Sequence, residues 1–128
     1  MSTELFYQYR DYGGYKESET VVFPDDPKQE DIDLILRNLL DGEYFIPSQV
    51  GMADLQERLA DGKPLGKDDH VEHSIVKVGF TQLAPTTTIF FSDFAKLFAS
   101  TQWDLLKAME DHGLSCARAT SYLSQYIE

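Results

Sequence analysis

The segment Asp68-Asp69-His70-Val71-Glu72-His73 gathers two imidazoles and three carboxylates within six residues. These are the donor types that hold a transition metal or move a proton. If the segment is extended, His70 and Glu72 share one side while Asp69, Val71 and His73 share the other, so about two ligands at most converge without a turn. Neither His-Glu-x-x-His nor His-x-x-Glu-His is present. The stretch is read as a solvated acidic loop entering a strand, and a metal-dependent enzyme centred on His70 and His73 is the alternative.

Other chemistry-bearing patterns fail on their spacing. His70-Val71-Glu72 matches the first half of the zinc-deaminase signature, but its second half needs two cysteines and the chain has one. Gly62-Lys63-Pro64-Leu65-Gly66-Lys67-Asp68 is one residue short of a phosphate-binding loop, and Asp68 stands where a hydroxyl would reach magnesium; its charge repels phosphate. Cys116 follows His112 by four residues, yet Gly113 interrupts the helix that would bring them together, so the thiol is read as a small buried hydrophobe. There is no Gly-x-Ser-x-Gly elbow. No catalytic role and no cofactor are expected.

Residues 104–127 place Gly113-Leu114-Ser115 between two amphipathic stretches, which resembles a helix-turn-helix in its spacing of small and apolar residues. That resemblance implies a DNA-binding regulator. However, Arg118 is the one basic residue of the would-be reading helix, and nothing basic surrounds it to neutralise phosphates. A packing corner between helices is the preferred reading.

The charge is one-sided. Across 128 residues there are 22 acidic and 11 Lys and Arg side chains, a formal net charge of −11, with most of the surplus before residue 90. Such a field repels nucleic acids and anionic membranes and speeds encounter with cationic proteins. The hydrophobic fraction of 42% is that of an ordinary globular chain, so a packed core is expected without staples or metals. One cysteine suits a reducing compartment, and Met1-Ser2-Thr3-Glu4 begins no signal sequence, so a cytoplasmic location is expected.

The elements that must position these groups follow from periodicity. Leu5–Tyr12 and Glu19–Phe23 are β-like runs around Gly13-Gly14, which implies a hairpin with an extension over Tyr15–Ser18. Asp26 and Pro27 announce a helix, with Gln29 at the capping-box position, carrying Ile32, Ile35, Leu36, Leu39 and Leu40 and ending at Asp41-Gly42. Tyr44-Phe45-Ile46 is an edge strand or an extended buried link, stopped by Pro47, and Met52, Leu55 and Leu59 define a second helix. His73–Leu83 alternates, with Val76, Val78 and Phe80 on one face and His73, Ile75 and Lys77 on the other; Ile89-Phe90-Phe91 reads as a short last strand. Ser92, the residues around Trp103, and Ser115 then open helices, and Phe90, Phe91, Phe94, Phe98 and Trp103 form the core beneath them. The expected fold is α+β: a small antiparallel sheet with one packed helix, followed by a helical C-terminal subdomain, in a single domain over 1–128 divided into 1–90 and 91–128.

These readings converge on a non-enzymatic acidic binding protein. Its expected partner is a basic protein, such as a nucleic-acid-binding protein or nuclease, which it would inhibit in the manner of an immunity protein by mimicking nucleic acid. Neither direct nucleic-acid contact nor a membrane is expected. The partner-binding candidates are Tyr7, Tyr9, Asp11, Tyr12, Tyr15, Glu17 and Glu19 on the hairpin, then Asp25, Asp26, Glu30, Asp31 and Asp33. Asp61, Asp68, Asp69 and Glu72 form a second patch.

Overall fold

A computed structural model describes residues 1–11, 13–60 and 70–111. Tyr12, the loop containing Asp61, Asp68 and Asp69, and the segment containing Cys116 and most of the helix-turn-helix-like stretch lie outside the described residues. The fold is α+β: among the described residues, a curled four-stranded antiparallel sheet with four α-helices and a short 3-10 helix over Pro47–Val50. The strands are β1 (Ser2–Arg10), β2 (Lys16–Phe23), β3 (Tyr44–Phe45) and β4 (His73–Thr81), in the order β2-β1-β4-β3. The helices are α1 (Gln29–Arg37), α2 (Leu55–Ala60), α3 (Phe91–Ser100) and α4 (Leu105–Asp111). Among the described residues no helix is long and apolar enough to cross a membrane.

β1 is paired along its length by β2 and β4. Its odd residues Leu5, Tyr7 and Tyr9 are buried beneath the helical layer, whereas Glu4, Phe6 and Gln8 are half-buried on the opposite face. The hairpin closes earlier than expected, because Arg10 pairs directly with Lys16 and the strand absorbs Tyr15–Ser18 down to its last three residues. Asp11 makes that turn. Its carboxylate accepts the Tyr15 N–H at 2.9 Å, and Gly14 takes φ +91°, a conformation that side-chain-bearing residues rarely adopt.

β4, which lies between β1 and β3, departs from simple alternation. Phe6 pairs with Lys77 but Tyr7 pairs with Ile75, so Val76 is an extra residue, a β-bulge that reverses the facing of everything after it. Ile75 and Val78 therefore both pack on the core, while Val76 is exposed. Phe80 lies opposite Thr3 at the end of the sheet, beyond the helical cover, and is 61% exposed.

α1 starts at Gln29, later than Asp26-Pro27 suggested, and Lys28 occupies the cap position without a side-chain bond. The Gln29 amide reaches forward to the Asp33 carboxylate at 2.9 Å instead of closing a capping box. The helix ends at Arg37, since Asp41 and Gly42 both take positive φ and turn the chain so that Leu40 pairs with Tyr44. Ile89-Phe90-Phe91 is not a strand: Phe91 opens α3, and Ile89 and Phe90 are exposed rather than core. The core beneath α3 is Phe91, Phe94, Ala95 and Phe98, with Trp103 half-buried against it and donating its indole N–H to the Asn38 carbonyl at 2.8 Å.

α3 is capped from a distance. Ser92 lies inside its first turn, and the carboxylate of Asp25 accepts the Phe91 N–H on one oxygen and the Ser92 N–H, at 3.3 Å, on the other. A carboxylate there satisfies two orphan donors and faces the positive end of the helix dipole. Asp25→Ala is expected to lower stability by about 1–2 kcal/mol, with Asp25→Asn keeping most of the loss at bay and Ser92→Ala costing under about 0.5 kcal/mol. Urea unfolding of the three variants checks this ordering.

Candidate functional site

The expected acidic and aromatic surface separates into groups with different fates. Tyr7 and Tyr9 are corrected from surface anchors to core residues: both are 0% exposed, because odd positions of β1 face the helices. The Tyr7 hydroxyl donates to the Ala53 carbonyl at 2.8 Å, and the Tyr9 hydroxyl accepts the His70 N–H at 3.1 Å. Burial, reinforced by the carboxylate of Glu19, pushes the Tyr7 phenol up to about 12. Tyr15, at the hairpin tip, is 70% exposed and available to a partner.

Among the acids, Asp11 and Asp25 are occupied by the turn and the α3 cap. Asp31 is 8% exposed and Glu72 2% exposed, so neither belongs to a docking face. Asp31 enters the core side of α1 because it lies one turn before the buried Ile35. Glu17 and Glu19 are half-buried on β2, on the same side as Tyr9 and Tyr7 with which they pair. Glu19 forms an ion pair with Arg58 of α2, whose pKa is thereby raised further.

Asp26, Glu30 and Asp33 remain exposed. Glu30 and Asp33 are three residues apart and share one side of α1, where with Leu36 and Arg37 they line a shallow hollow. Neither forms an ion pair among the described residues. Arg37 donates to the backbone carbonyl of Asp33 rather than to its carboxylate. Asp26 lies 3.7 Å from the amino group of Met1.

The histidines are built into the fold. His73 is 1% exposed on β4; its Nε2 accepts the Leu55 N–H at 3.1 Å while Nδ1 lies 3.1 Å from the Val71 carbonyl, which defines a neutral ring with its proton on Nδ1. Asp54 approaches the same Nε2 to 3.7 Å. His70 Nε2 lies 2.7 Å from the Arg10 carbonyl, and its Nδ1 is 3.9 Å from the Glu72 carboxylate. Both rings pack against Tyr9 in tilted contacts, at centroid distances of 4.9 and 5.1 Å. Among the described residues no group of three or more His, Cys, Asp or Glu side chains is placed to hold a metal ion.

Sequence reasoning passed over Arg58 and read Val21, Met52 and Phe94 only as strand, helix and core residues. They line a cavity of about 270 Å³ between the outer edge of β2, the turn at Gly51–Ala53 and the segment Thr86–Ile89. Their convergence depends on contacts between elements far apart in the chain, which no local pattern carries. No protein-family model matches the chain, and no curated protein or solved structure shows significant similarity to it.

The raised Tyr7 phenol carries a pH dependence. Its folded pKa of about 12 lies above the ordinary 10.0, so folding favours the neutral form. The resulting stability, roughly 2–3 kcal/mol, is complete below pH 10 and is lost as pH rises from 10 toward 12. Tyr7→Phe should flatten this alkaline loss while costing about 1 kcal/mol at neutral pH for the missing bond to Ala53. Chemical denaturation at a series of pH values measures both effects.

Proposed function

We propose that the protein is a non-catalytic binding protein that presents the carboxylates of α1 to a basic partner. In its most concrete form it is an inhibitor or immunity-type protein that occupies a nucleic-acid-binding surface. The observation that carries this reading is the pair Glu30 and Asp33, both exposed on one side of α1 without a lysine or arginine ion-paired to either among the described residues.

The spacing suits mimicry. Three residues of helix advance about 4.5 Å along the axis, against one phosphate per about 3.4 Å along a nucleic-acid strand. A cationic groove that holds successive phosphates meets a comparable charge density on α1, and binding releases the counterions of that groove. The first-turn position of Glu30 also favours the helix itself through its dipole, so the acid contributes to folding as well as to recognition. The net charge of −11 adds long-range steering toward a cationic surface.

Affinity capture from host extract on the immobilised protein should retain a basic protein that added nucleic acid displaces. Its affinity should fall at least about tenfold between 50 and 200 mM salt. Replacing both Glu30 and Asp33 by Lys should slow association and lower the unfolding free energy by about 0.5–2 kcal/mol, because a first-turn cation opposes the helix dipole, while the chain remains folded. An affinity indifferent to salt and to this double charge reversal would overturn the reading.

A further inference from the structure

β2 is an edge strand, and its outer side is only partly covered. At Val22 the N–H donates to the Thr86 hydroxyl at 2.9 Å, and the carbonyl accepts the Thr86 N–H at 2.9 Å. Val22 therefore turns its backbone outward, and by the two-residue repeat of a strand so do Thr20 and Ser18. Among the described residues nothing bonds the outward groups of Thr20 and Ser18, although the chain itself demonstrates at Val22 that this edge accepts a neighbour.

Beside this free stretch lies the cavity of about 270 Å³. Its walls are Tyr7, Val21, Phe23, Val50, Met52 and Phe94, with the ion pair of Glu19 and Arg58 at its rim. The volume falls just under the range of about 300–1,000 Å³ typical of small-molecule sites. It fits one large side chain better than a cofactor. A residue of an added strand lying opposite Glu19 points toward the helix-bearing side, as Glu19 itself does, and so enters this space. Two positions along the added strand, the next residue on that side faces Glu17.

We propose that the free edge of β2 at Ser18–Thr20 receives an extended peptide segment of a basic partner. One large apolar side chain of the segment fills the adjoining cavity, and a lysine or arginine two positions away meets Glu17. The backbone supplies affinity and the cavity supplies selectivity. Glu19 is neutralised by Arg58, so the carboxylate of Glu17 and the overall charge of −11 favour a basic segment and disfavour a second copy of this chain. This site is separate from the acidic side of α1.

The probe is the blocked peptide Thr-Phe-Thr-Lys-Thr, which, added antiparallel with Phe opposite Glu19, puts its flanking threonines opposite Thr20 and Ser18 and its Lys opposite Glu17, and stops short of Val22, where Thr86 already bonds. Titrated into the ¹⁵N-labelled full chain, it should shift the amide resonances of Ser18, Thr20 and the cavity residues. Replacing its Phe by Ala, or N-methylating the two threonines that flank Phe, should each weaken binding about tenfold or more. Thr20→Pro removes an outward N–H at an edge position where proline is tolerated, and should weaken binding similarly; the N-methylated peptide makes the same test on the unaltered protein. Double replacement of Glu30 and Asp33 by Lys should leave peptide affinity within about twofold. No shift at β2 up to about 1 mM peptide, binding indifferent to Phe and to N-methylation, or binding abolished by the α1 charge reversal would each overturn the proposal.

Discussion

A phenol or an imidazole buried against a sheet must find a partner for each polar atom, and the described structure is organised by that requirement. Tyr7, Tyr9 and His73 face the helices from adjacent strands, and His70 packs against Tyr9. Their polar tips reach Ala53, the His70 amide, Leu55 and Val71, and Arg10. Apart from the local contact of His73 with Val71, each of these bonds ties a connecting segment to β1 or β4 across many residues of sequence. A buried polar group left unpaired would cost about 1–3 kcal/mol, so the bonds also penalise any arrangement in which the segments around Ala53 and His70 lift away. The residues that looked most chemical in the sequence thus hold loops to a sheet.

That explains which parts of the fold were legible. The hairpin, the helix carrying Ile32 and Ile35, the edge strand at Tyr44-Phe45 and the helix carrying Phe94 and Phe98 all follow from local periodicity, because each has one side to bury. The facing of β4 was not legible. A single extra residue at Val76 reverses the alternation, and nothing in Ile75-Val76-Lys77-Val78 announces it. The capping of α3 was equally hidden: Ser92 is a good local cap, but Asp25, far away in sequence and fixed beside it by β2, supplies two acceptor oxygens and displaces it.

The acid surplus is likewise not one property. Asp11 and Asp25 accept backbone N–H groups, Glu19 and Glu4 pair with Arg58 and Lys77, and Asp31 and Glu72 are buried. Such carboxylates have structural work and contribute little to an outward field. Composition counts them all equally. The expectation of a continuous acidic face over the hairpin and first helix therefore contracts to a shorter row on α1, where exposure and the lack of an ion-paired cation among the described residues coincide.

The edge of β2 presents a different constraint. Exposed edges invite uncontrolled pairing, and proteins commonly blunt them with charge or cover them with chain. Here both devices appear, since Thr86 and Thr87 cover Val22 while Lys16, Glu17 and Glu19 line the remainder. Between them, among the described residues, nothing bonds the outward backbone of Thr20, directly beside a cavity walled by Val21, Phe23 and Phe94. Glu17 and the overall charge of −11 discourage a second acidic copy without discouraging a basic strand, so the residues that protect the edge also restrict what can use it. Protection and selectivity then arise from one set of side chains, and the outward N–H of Thr20 is the point at which they can be separated.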